Sequence, residues 1–306
     1  MTAGLAPVGL SLVVLLLTGL TAAAWNGVLV ARAVDAPIGA GVLSPVSETA
    51  RLLRQRRRTT LAADRLLWRL AGAGLVLAPL LMIAVVPLGL APVLDSPVGV
   101  VWFNAADVLV WALVWLLGWG ANSVYGLIGA YRFLASALAY ELPLMFALTT
   151  PAVAAGSLRV SDIVSAQGVW YVVWMPVAFL VVCLGVVGFS VWGPLSPAAG
   201  PDVAGGVLAE LSGPDRLLVQ SGRYLLLVAG SAFAVALFLG GAQGPTLPGW
   251  TWMAIKTLVL LGVLVAIRRR VALLRPDRFL EVGWLVLLPA ALVQLLVVSV
   301  LVVGGR

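Results

Sequence analysis

The chain has 306 residues, 62% of them hydrophobic and 10% charged, with a mean hydropathy of +1.10 and a formal net charge of +7. Soluble domains are about 45–50% apolar and about 25% charged, so this is the composition of an all-α integral membrane protein. It has no histidine and one cysteine, Cys183, which excludes imidazole-held metals or haem, a disulfide, and an iron–sulfur cluster held by this chain alone. No Rossmann or Walker motif is present either, so any redox chemistry must run through electron carriers in other subunits.

A bilayer-spanning helix needs about 20 mostly apolar residues. The first such segment is about 5–30. Ala22-Ala23-Ala24 resembles a signal-peptidase site, but no basic residue precedes the apolar run, so a retained helix is expected. Next, Ser44-Pro45-Val46-Ser47-Glu48 marks a helix start. Val46, Ala50, Leu52 and Leu53 then alternate at helical spacing with Glu48, Arg51, Arg54 and Arg56, which predicts a short amphipathic helix at the interface. Further spans are expected at about 66–92, 100–117, 133–154, 169–191, 224–241, 250–267 and 282–303. Together they make one polytopic membrane domain of eight spans. Between the fifth and sixth lies a Gly/Pro-rich loop, Gly193 to Ser221.

The basic residues give an orientation. Sixteen of the nineteen follow the first, third, fifth and seventh spans; the exceptions are Arg159, Lys256 and Arg306. By the positive-inside rule those four loops are cytoplasmic and both termini are outside. The net charge is thereby explained as an orientation signal, and no nucleic-acid partner is expected.

Polar groups concentrate in Gly118 to Glu141, which carries Asn122, Ser123, Tyr125, Arg132, Tyr140 and Glu141. Ionisable groups at membrane depth face a protein interior or a wet cavity and mark relays or substrate paths. Glu141 is either a proton-relay carboxylate or a helix lock paired with Arg132 or Lys256. Asp107, early in the third span, is either on a proton path or a wet interfacial group. Lys256, six residues into the seventh span, pairs with a carboxylate or snorkels. Asp202, Glu210, Asp215 and Arg216 lie in the Gly193–Ser221 loop, which is too apolar for a plain linker and reads as a docking or substrate-lining surface. The twelve tryptophans lie mostly at span ends, as an aromatic belt would, and carry no expected site role.

The ordered motifs resemble those of the subunit 1 family of respiratory complex I, the H subunit of NADH-quinone oxidoreductases. Gly118–Tyr125 resembles the family's GWxSNSxY, Gly126–Arg132 its ALIGALR, and Tyr140-Glu141 its SYE. Ser44–Glu48 with Arg51 is similar to QPLADxxK, and Glu210-Leu211-Ser212-Gly213 to EYSG. Asp95 resembles the aspartate of a DxxxG turn, and Arg268, Arg275 and Asp277 resemble the closing Arg/Asp loop. The resemblance implies the foot of the membrane arm of a proton-translocating NADH-quinone oxidoreductase, beside Fe–S-bearing peripheral subunits and other membrane subunits. FMN and Fe–S clusters would belong to those partners, with quinone as substrate and no cofactor in this chain. Glu141, Arg132, Asp107 and Lys256 would be proton-axis candidates. Asp202, Glu210, Arg216, Glu48 and Arg51 would lie on the quinone side.

Three departures stand out. The family's acidic run PFDxPExExE is reduced to Pro197 and Asp202, and a family glutamate falls on Arg223, reversing the charge. The family's arginine-bearing sequence after the first span has shrunk to Ala31–Gly41. These losses keep an alternative open: the equivalent subunit of an energy-converting hydrogenase or formate hydrogenlyase-like complex without quinone. Asn122-Ser123 and Tyr140-Glu141 match the complex I form.

Overall fold

The computed structural model describes residues 5–89, 91–200 and 205–304. These residues form twelve α-helices joined by short turns, 3-10 and π segments, with no strand among them. They are α1 (Leu5–Ala33), α2 (Ile38–Val42), α3 (Ser44–Arg54), α4 (Arg65–Ile83), α5 (Gly99–Gly120) and α6 (Val124–Ala155). Then follow α7 (Val160–Ser165), α8 (Pro176–Phe189), α9 (Gly213–Phe238), α10 (Gly249–Arg270), α11 (Pro276–Val282) and α12 (Leu288–Gly304). Eight helical segments among the described residues are long and apolar enough to cross a membrane. The protein is an all-α integral membrane protein.

Several span limits differ from those expected. The second span stops at Ile83 rather than near Pro92, because Pro87 and the left-handed Gly89 (φ 88°) break it and Leu94 N–H turns back to Ala84 O at 2.8 Å. The fourth starts at Val124, so the polar stretch is helical from there on and continuous with the apolar one. The fifth starts at Pro176, whose ring suits a first helical position, after a 3-10 turn at Tyr171–Val173. The Gly193–Ser221 segment is not one loop. It holds a 3-10 helix, Gly193–Ala199, and its last part is the first turns of α9, with Pro214 and Asp215 at the N-terminus.

The amphipathic helix α3 forms where expected and ends at Arg54. Its following basic segment is stitched to the start of α9. Arg57 pairs with Asp215 at 2.9 Å, Arg58 N–H donates to Ser212 Oγ at 2.7 Å, and Gly213 N–H donates to Gln55 Oε1 at 3.1 Å.

Helix α9 is the axis of the bundle. Phe233, Val235, Leu237 and Phe238 are fully buried, whereas Leu285, Val293 and Leu296 of the last span are exposed. Phe233 stacks on Phe103 of α5 with centroids 3.7 Å apart, and Phe189 of α8 meets Phe103 edge-on. Association inside a bilayer relies on close packing rather than on the hydrophobic effect, so small residues set the crossings. One crossing matters most. A Cβ on Gly118 of α5 would meet Gly126 O and Ala130 Cβ of α6, so only glycine lets these antiparallel helices approach there.

Candidate functional site

That crossing fixes what lies further along. Asp107 is 118 − 107 = 11 residues before Gly118, and Glu141 is 141 − 130 = 11 residues beyond Ala130. Eleven residues is about three helical turns, so each side chain returns to the face of its partner helix, about 16 Å from the crossing. Accordingly the two carboxyl groups are neighbours inside the bundle. Asp107 is 0% exposed and Glu141 8%. Asn104 Nδ2 donates to Glu141 Oε1 at 3.1 Å. Trp111 and Tyr140 meet edge to face, 6.5 Å between ring centroids, and close the cluster.

The cluster is short of partners. Both Asp107 oxygens, Glu141 Oε2, Asn104 Oδ1, Tyr140 Oη and Trp111 Nε1 are buried and unmatched by any protein group among the described residues. These six are half of the twelve such atoms among the described residues, so the mismatch is concentrated in this cluster. Buried polar groups are costly unless hydrogen-bonded. A hydrogen bond between two carboxyls needs a proton on one of them, and water can match the remaining oxygens. Chemically, the pair can hold one proton and hand it over.

The ion-pair expectations for Glu141 are corrected. Arg132 is nine residues earlier, which places it about 180° round the helix and about 13 Å along it. It donates through Nη1 to Gly205 O at 2.7 Å instead. Lys256 meets no carboxylate among the described residues. Its ammonium donates to Leu239 O (2.7 Å), Gly241 O (3.1 Å) and Gln243 O (2.7 Å), over the Trp170 ring at 4.6 Å. It therefore caps the C-terminal end of α9, where carbonyls lose their helical partners. Asp107 is not a wet interfacial group, since it is wholly enclosed.

The polar stretch thus divides by role. Its N-terminal half ties down the segment before α9: Ser123 Oγ donates to Glu210 at 2.6 Å, beside the Arg132–Gly205 bond. Asn122 turns the chain between α5 and α6 with φ 43°. Its C-terminal half supplies Tyr140 and Glu141.

A second feature is a cavity of about 690 Å³ between α1, α2, α3 and the first half of α9. Of the quinone-side candidates, Glu48 and Arg216 line it. Arg51 does not, but grips Glu48 from behind through Nε–Oε2 and Nη2–Oε1 contacts of 2.7 Å. That hydrogen bond holds the Glu48 carboxyl below the usual glutamate range. Glu210 sits away from the cavity on Ser123, and Asp202 lies outside the described residues. The cavity adds residues to which the motifs gave no site role: Asn26, Trp192, Arg223, Tyr224 and Arg268. Asn26 Nδ2 donates to Tyr224 OH at 3.1 Å. Asn26 Oδ1, Trp192 Nε1 and Arg216 Nε are buried without a protein partner among the described residues. The available signal for Trp192 was its place next to Gly193 at the end of the fifth span, which the belt reading absorbed.

The comparisons with known proteins bear on this geometry. A family model described as NADH dehydrogenase matches residues 7–299. The chain belongs to the H-subunit family of NADH-quinone oxidoreductases. It is 35% identical over 270 residues to the NADH-quinone oxidoreductase H subunit 2 of Geobacter sulfurreducens, covering 84% of this chain and 82% of that one. The figures are the same for the H subunit 1 of Geobacter metallireducens. The H subunit of a Geobacillus species is 33% identical over 269 residues, with 85% and 80% covered. As a member of this family, the chain is a complex I-type membrane subunit of an oxidoreductase assembly, with other subunits of that assembly as its partners.

Proposed function

We propose that this subunit lines the quinone chamber of a proton-translocating NADH-quinone oxidoreductase and begins its polar proton path. The observation that carries the reading is the buried Asp107–Glu141 carboxyl pair, set between α5 and α6 with no cation against it among the described residues. Membrane-embedded carboxyls of this kind are characteristic of proton relays. In this reading Asp107 and Glu141 hold and pass the proton, Asn104 orients Glu141, and Tyr140 and Trp111 enclose the exchange. Lys256 and Arg132 serve the scaffold rather than the relay.

The cavity supports the substrate half of the proposal. Its size falls in the usual range for ligand sites of about 300–1,000 Å³. The unmatched donors Trp192 Nε1 and Arg216 Nε suit acceptor oxygens such as quinone carbonyls. The apolar Leu16 and Leu20 of α1 suit an isoprenoid tail. Glu48 contributes charge at the same wall. Electrons would arrive from FMN and Fe–S clusters of partner subunits, and the membrane would be the cell membrane with both termini outside. The relatives' names favour a quinone-reducing assembly, and no separate observation favours the hydrogenase-type alternative.

The test is Glu141→Gln in the assembled complex, read as protons moved per quinone reduced in inverted membrane vesicles. The expected result is intact assembly with that ratio reduced at least tenfold. A variant that pumps normally would overturn the relay assignment.

A further inference from the structure

The cavity's inner wall has a charge imbalance that quinone does not require. Arg223 and Arg268 lie against the same Trp192 ring, with guanidinium carbons 5.7 Å and 5.1 Å from its centroid. Arg223 donates to the carbonyls of Ser190 and Val191, and Trp192 is 1% exposed. Arg216, the third cation of this wall, has a buried Nε with no protein partner among the described residues. Neither Arg223 nor Arg268 meets a carboxylate among the described residues, and the one acid lining the cavity, Glu48, is gripped by Arg51, with Arg216 as a second cation near it. Asp202 is outside the described residues; were it to reach this wall, three guanidiniums would still outnumber the unmatched acids.

Two guanidiniums against one ring repel each other, less so because Arg268 is exposed to water, and an anion between them relieves that repulsion. Guanidinium groups recognise phosphate-type oxyanions through paired, charge-assisted hydrogen bonds. The apolar wall continues outward along α1, where Leu16 and Leu20 are 46% and 54% exposed. A head held at the arginines would therefore have a route for its tail along the outside of the helix. Helix α3, amphipathic and basic, borders the same opening, at the level where lipid headgroups lie.

We infer that Arg223 and Arg268, set on Trp192 with Arg216 beside them, form a subsite for the anionic head of an amphiphile, of the phospholipid phosphate class. The two anchoring guanidiniums, Arg223 and Arg268, are not used by the quinone reading, and only Arg216 is common to both. The subsite makes anionic lipid a ligand of the cavity and couples its occupancy to membrane composition.

The experiment uses the whole assembly, stripped of lipid in a neutral detergent. Phosphatidylglycerol, phosphatidylcholine or sodium phosphate is added, and thermal stabilisation is followed together with retained lipid by native mass spectrometry. Phosphatidylglycerol should half-saturate at a concentration at least tenfold lower than phosphatidylcholine. Arg223→Gln and Arg268→Gln should each reduce that preference severalfold. Arg268 is exposed, so its variant keeps the test decisive if Arg223→Gln fails to assemble. Equal protection by sodium phosphate, lost in the same variants, would support the anion subsite and assign it to the free ion. Equal binding of both lipids, or a full preference retained in Arg268→Gln, would overturn the inference. Quinone reductase activity, measured on the same preparations, reports separately on the quinone reading.

Discussion

Gly118 is the residue whose replacement tests the geometry most directly. A Cβ there would stand 2.6 Å from Ala130 Cβ, and Gly126 O would be equally crowded. Carbon contacts settle at about 3.5–4.0 Å, so Gly118→Ala must open the α5–α6 crossing by about 1 Å. Overpacking of that kind costs about 1–3 kcal/mol. The two helices carry Asp107 and Glu141 three turns away, so the opening also moves the carboxyls apart. A shared-proton hydrogen bond between them, with one partner charged, would be worth about 1.5–3 kcal/mol, and preventing it corresponds to about a ten- to hundredfold effect on the step that uses it. The assay is dye-reported proton uptake per quinone reduced in inverted vesicles, for Gly118→Ala, Glu141→Gln and the double variant. Each single variant should lose about tenfold or more in that ratio. The double variant should be no worse than Glu141→Gln, because both changes break one contact. Wild-type coupling in Gly118→Ala beside a defective Glu141→Gln would refute the link between crossing and carboxyl pair. Losses that multiply in the double variant would refute it equally.

Further outcomes concern the scaffold and the chamber. Lys256→Met should lower the thermal midpoint of the purified assembly, by an amount corresponding to about 1–3 kcal/mol, since it leaves the carbonyls that follow α9 unmatched. Lys256→Arg should not restore it, because a planar fork does not fit a cage built round a compact ammonium. Ser123→Ala should release Glu210 and raise hydrogen exchange in the Gly205–Gly213 segment, while exchange in α9 beyond Gly222 stays unchanged. For Glu48 the sign follows from its lowered folded value. The Arg51 contact favours the folded state above the ordinary glutamate range and is lost as pH falls through the lowered one. Both side chains are about half exposed, so water screens the pair. Glu48→Gln should therefore leave the melting midpoint at neutral pH nearly unchanged, with any difference disappearing on acidification. A large loss at neutral pH would show that Glu48 is held by more than Arg51.

Composition alone fixed the solvent. A chain this apolar has to sit in lipid. Apolar runs of about twenty residues gave eight spans, and the alternation of apolar with charged residues gave the amphipathic α3, because those signals act along one stretch of chain. Proline and glycine breaks shifted several limits, such as Ile83, where local backbone geometry overrode a hydropathy run.

Partner choice could not be read that way. In a uniformly apolar helix, periodicity does not say which face meets which neighbour, so Glu141 could as well have met Arg132 or Lys256. Helical phase excluded Arg132, the open carbonyls at the end of α9 claimed Lys256, and a glycine crossing eleven residues away chose Asp107. The paired intervals of 118 − 107 and 141 − 130 were present in the sequence, but they acquire meaning only once α5 and α6 are known to touch at Gly118 and Ala130. The arginine wall was hidden for the same reason. Trp192, Arg223 and Arg268 belong to three separate segments, and only folding in three dimensions sets both guanidiniums against one indole.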